Sequence, residues 1–108
     1  MIMVSSDEIP GRTIEEGVGL VRGSSVRSRH LGKDIIAVFK NIVGGEVEEY
    51  TKLLAEAREQ AIDRMIAEAR SRGADAIVTV RFASAEIASG AAEVLVYGTA
   101  VKLGSKTP

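Results

Sequence analysis

The chain has 108 residues with 14 basic and 15 acidic side chains, a formal net charge of −1, and no cysteine. That length suits one compact domain and is too short for two. Balanced charge excludes nucleic-acid binding driven by bulk charge and also an acidic disordered tail, and the missing cysteines exclude disulfides, thiolate metal sites and thiol catalysis.

The pattern predicts a short strand over 2–5, a turn at Pro10-Gly11 and an extended, bent strand over 12–27. With plain alternation Ile14, Val18 and Leu20 share one face of that strand. Gly17, Gly19 and Gly23 leave the other nearly bare. A bare strand face admits a helix or a neighbouring chain, or marks a bulge. Residues 31–43 space Leu31, Ile35, Phe39 and Ile42 at helical intervals, and Gly44-Gly45 ends this first helix.

A longer helix is predicted over 46–72. Its first turn is acidic (Glu46, Glu48, Glu49), its last turn basic (Arg70, Arg72), and Gly73 follows as a cap. Tyr50, Leu54, Ala57, Ala61 and Met65 form one apolar stripe, with Ile62, Ile66 and Ala69 beside it. One stripe serves a helix on its own sheet. The extra width fits either a deeply set helix or a second contact with another subunit. Two strands, 75–87 and 92–103, follow as a hairpin that pairs Phe82 with Tyr97, Val78 with Val101 and Ser84 with Leu95, and residues 104–108 read as a loose tail.

The same register sets Glu86 opposite Glu93, an arrangement of like charges that requires compensation or water. Open water at the hairpin end, an ion pair with a basic group, and a metal or acid–base carboxylate pair are the alternatives. A one-residue bulge at Gly90 would remove the pairing. Basic groups gather at Arg22, Arg27, Arg29, His30 and Lys33, around the start of the first helix. They form a solvated face, a partner for the two glutamates, or a seat for a small anion. His30 and Asp34 stand one helical turn apart and are two ligands toward a divalent ion, too few for a site without a symmetry mate. No serine sits in a nucleophile elbow. Gly17-x-Gly19 misses the dinucleotide fingerprint, because its third glycine comes late and no helix follows.

No stretch approaches the ~20 apolar residues of a membrane helix, and the N-terminus lacks the basic and apolar regions of a secretion signal, which together suit a cytoplasmic protein. The four aromatics (Phe39, Tyr50, Phe82, Tyr97) supply little bulk for a small core, so subunit contacts are expected to make up the difference.

The run Arg27–Phe82, above all KNIVGGEVEEY (Lys40–Tyr50) and the block from Gly73-Ala74-Asp75-Ala76, together with AEVLVYGTAV (Ala92–Val101) and PGRTIEEGVGLVRGSSV, resembles the YbjQ family over nearly the whole chain. The resemblance implies an α+β fold: a mainly antiparallel sheet against one long helix plus a shorter helix, similar to a dodecin subunit and assembling as a ring-shaped homopentamer. It implies a single domain over 1–103 and prokaryotic, cytoplasmic origin. It also brings a heavy-metal-binding label with no established activity, and no cofactor follows from it beyond a possible divalent metal. The expected function is a non-catalytic homo-oligomer that binds a small ligand or ion or acts as a scaffold. Arg27, Arg29, Gly17, Gly19 and Gly23 are its ligand or subunit contacts. The alternative is a divalent metal-ion protein using His30, Asp34, Glu86 and Glu93. Neither reading includes nucleic acid or membrane as a partner.

Overall fold

The computed structural model describes residues 1–28, 47–88 and 91–106, with side chains for all of these except 28, 47–50, 86–88, 105 and 106. The expected first helix, with Arg29, His30, Lys33 and Asp34, lies outside the described residues. Chain order is β1 (Ile2–Met3), β2 (Arg12–Ser28), α1 (Val47–Ser71), β3 (Ala76–Ala88) and β4 (Ala91–Lys106). The strands form one sheet in the order β1-β3-β4-β2. β1 runs parallel to β3, and the other pairings are antiparallel. The architecture is therefore α+β with a mixed sheet and one described helix.

The long helix ends as its sequence predicts. Gly73 is left-handed, at φ +75°, and its N–H reaches Arg70 O at 3.0 Å while Ala74 N–H reaches Ala69 O at 3.0 Å. This is a Schellman cap, which favours glycine at the left-handed position. The stripe Ala57, Ala61, Met65 and Ala69 is fully buried against Val21, Ile77, Val94, Val96 and Ala100, and Ile62 and Ile66 pack half-buried on the same cluster. Much of the predicted second stripe thus serves the chain's own core.

Three bulges correct the expected strand faces. In β2, Gly17 pairs with Val101 and Gly19 with Ala100, so Val18 is an inserted residue. An inserted residue flips the pleat. Val18, Val21, Gly23 and Ser25 consequently turn toward the helix, whereas Leu20 and Val26 turn outward and Gly17 is exposed. Ile14, Val18 and Leu20 do not share a face. In β3, Val78 pairs with Thr99 and Arg81 with Tyr97, which leaves Thr79 and Val80 opposite Gly98. Thr79 sits at φ +54°, and the segment before β2 ties down this bulge through Thr79 N–H to Ser6 O at 2.9 Å and Val80 N–H to Val4 O at 3.0 Å.

The third bulge is at the hairpin. Ala88 pairs with Ala91 as expected, but Glu86 then pairs with Ala92, so residue 87 is inserted. Phe82 therefore pairs with Val96 and Ser84 with Val94, in place of Tyr97 and Leu95, and with the Thr79 bulge added Val78 pairs with Thr99 in place of Val101. β4 also continues to Lys106, paired with Arg12, where a loose tail was expected from residue 104.

A second apolar cluster, Ile9, Ala76, Val78 and Val101 with Val4, Ile14 and Leu103 against it, closes one end of the sheet on the side away from the helix. The rest of that side has no such cover among the described residues.

Candidate functional site

Glu86 and Glu93 do not face each other. Glu93 is opposite Ala85 on one flank and Val26 on the other, while Glu86 is opposite the buried Ala92. Adjacent register positions belong to opposite faces of a pleated sheet. The expected like-charge pair is removed by the bulge at residue 87, one element earlier than the position suspected from Gly90.

The other expected contacts divide. Gly23 is buried under the helix, where a side-chain carbon would run into the Ala61 carbonyl oxygen and the Met65 amide nitrogen. Gly19 has φ +132°, and a side-chain carbon there would stand 3.5 Å from Arg72 Nη1. Gly17 is open, with nothing within 4 Å of such a carbon. Two of the three glycines therefore face the chain's own helix. Arg27 is half-buried beside Gln60 and Asp63 in a groove that also takes in Lys52, Glu56 and Glu59, and its Nε is buried without a hydrogen-bond partner among the described residues. The groove mixes both charge signs, so it does not select an anion. Arg29, His30 and Asp34 lie outside the described residues.

Sequence reasoning missed the outward face of the sheet. From β2 through β4 to β3, Arg22 pairs with Tyr97 and Tyr97 with Arg81; Ser24 pairs with Leu95 and Leu95 with Ala83. Leu20 is 60% exposed, Val26 52% and Tyr97 37%. Leu20 and Val26 share a face by alternation alone, and the Val18 insertion sets that face opposite to Val18. The close pair Gly17 and Gly19 was the available signal, since glycine inside a strand marks bulges. Arg81 Nη1 donates to Ser5 O at 2.8 Å and to Val80 O at 2.9 Å, so this arginine clamps the N-terminal segment over the bulge.

Comparison with known proteins adds the family. Residues 1–104 match the YbjQ family model, described as "Putative heavy-metal-binding". A UPF0145 protein of Thermosipho melanesiensis is 60% identical over 103 residues, covering 95% of each chain. A UPF0145 protein of Archaeoglobus fulgidus is 52% identical over the same length and coverage. A crystal structure of a protein of unknown function in the DUF74 family, from Pediococcus pentosaceus, superposes with a TM-score of 0.59 at 18% identity, covering 96% of this chain and 98% of that one. At that identity the likeness speaks for the fold.

The metal description does not fit the donors in view. Heavy metals of the soft type favour thiolate and imidazole. The chain has no cysteine and one histidine, and among the described residues no three His, Cys, Asp or Glu side chains converge. Among those residues there is also no helix long and apolar enough to cross a membrane.

Proposed function

The chain belongs to the YbjQ family, and from that premise we propose that it works as a non-catalytic homo-oligomer, binding a small ligand or ion or serving as a scaffold, whose copies meet through the outward face of the sheet. The observation that carries this reading is the exposure of Leu20, Val26 and Tyr97 together on one sheet face. Arg22, Ser24, Arg81 and Glu93 stand among them, so the face mixes exposed apolar, tyrosine and arginine side chains, the kinds of residue enriched in subunit contacts. The described residues are also extended, 58 × 23 × 16 Å with a radius of gyration of 17.7 Å, against about 13 Å for a compact chain of 100 residues. An elongated layer with one open face gains burial when a second layer covers it.

Sedimentation equilibrium at micromolar concentration tests the proposal. A mass several times the 11.4 kDa of one chain supports it, and five copies would match the ring that the family resemblance implies. A single-chain mass ends it. The divalent-ion reading rests on His30 and Asp34 and gains nothing from Glu86 and Glu93 as a pair. Calorimetric titration with zinc, nickel and copper decides it: stoichiometric heat that disappears in His30→Ala would revive it, and flat titrations would remove it.

A further inference from the structure

Among the described residues β2 is an outer strand of the sheet, with β4 on one side. The free side of such a strand offers carbonyl and amide groups to any passing strand, which makes it a route to uncontrolled pairing. Here the helix reaches over that side. Arg64 Nη1 donates to Ser24 O at 2.6 Å, and Arg72 Nη1 donates to Leu20 O at 3.1 Å. Between them Glu68 Oε1 stands 3.4 Å from Arg72 Nη2 and steadies that guanidinium.

The spacing is built into the two elements. Eight residues of helix advance ~12 Å, and four residues of strand advance ~13 Å. Arg64 and Arg72 therefore match Ser24 and Leu20 when helix and strand run antiparallel. The glycines permit the approach. Gly23 has no side chain to hold the helix backbone off the strand, and Gly19 leaves space for the Arg72 guanidinium beside Leu20 O. Charged donors on carbonyl oxygens make stronger hydrogen bonds than neutral ones. A strand added along Leu20–Ser24 would have to displace both.

We infer that Arg64 and Arg72 guard the free edge of β2 against strand addition by a second copy of this chain. The guard operates in a lone chain as in an assembly, so it does not rest on the proposed function. The same arginines do not form an anion seat. The groove of about 480 Å³ lined by Arg22, Ser24, Arg64, Glu68, Glu93 and Leu95 carries two guanidinium groups and two carboxylates, and Arg64 already donates to Ser24 O.

The test uses a fluorescent peptide copying residues 93–101 (EVLVYGTAV), the segment of β4 that pairs with β2 on its other side. Anisotropy is read with the full chain, the double variant Arg64→Ala with Arg72→Ala, and a charge-matched control, Arg58→Ala with Arg70→Ala. The double variant is expected to bind the peptide about tenfold tighter than the unaltered chain, and the control is expected to match the unaltered chain. Equal binding by a double variant with an intact circular dichroism spectrum overturns the inference, as does an equal gain in the control. If the double variant does not fold, the single variants decide: a gain in folded Arg64→Ala or Arg72→Ala supports the guard, and no gain in either refutes it. Peptide binding is read independently of sedimentation mass, so failure here is distinct from failure of the proposed assembly.

Discussion

The two faces of the sheet are built on opposite terms. On the helix side, Val21, Ile77 and Val96 are sealed by Ala57, Ala61 and Met65, and Gly23 lets the helix backbone rest on the strand. On the outward side, Leu20 and Val26 alternate with the same residues of the same strand yet remain more than half exposed. One strand thus serves a finished core and an open surface at once. Composition does not separate them, since Val21 is buried and Val26 on the same strand is exposed: what differs is that the helix covers the first, whereas Leu20 and Val26 have no cover among the described residues.

Substitutions can break that contrast. Gly23→Val should have the largest effect, because its side chain collides with helix backbone that cannot yield without moving α1; a loss of about 3 kcal/mol or more is expected in urea unfolding. Met65→Ala comes next, with a loss of about 2–5 kcal/mol by the same measurement, the lower half of that range applying if the surrounding alanines close in. Ser25→Ala removes the hydroxyl that donates to Gln60 beneath the helix and should cost about 1 kcal/mol.

The outward face should respond the other way. Val26→Asp sets a carboxylate opposite Glu93 and is expected to cost a single chain about 1 kcal/mol, well short of Met65→Ala, while reducing the sedimentation mass of any assembly. If Val26→Asp proved as damaging to folding as Met65→Ala, the outward face would belong to a core of the single chain and the contrast would fall. A mass unchanged by Val26→Asp would move the subunit contact elsewhere.

Much of the helical half was legible beforehand. Gly73 and the arginines before it mark the end of α1, and the spacing of Ala57, Ala61 and Met65 marks its buried stripe, because capping and helical periodicity are local properties. The strands themselves were legible too, including the length of β2. Their faces were not. Val18, Thr79 and residue 87 each enter as an extra residue, and each shifts the pairing by one position. The acid pair expected at Glu86 and Glu93 was lost to such a shift, and the face expected to be common to Val18 and Leu20 was lost to another.

Sequence alone determined the order of the described elements, the C-terminal end and buried stripe of the long helix, and family membership, since all of these are written in neighbouring residues or in overall likeness. Only the tertiary structure decided which strand residues meet the helix, which stand in the open, and how Arg64 and Arg72 come to lie on the edge of β2. A pleated strand has a period of two, so one inserted residue exchanges its faces, and where an insertion is tolerated depends on the strands and the helix packed against it.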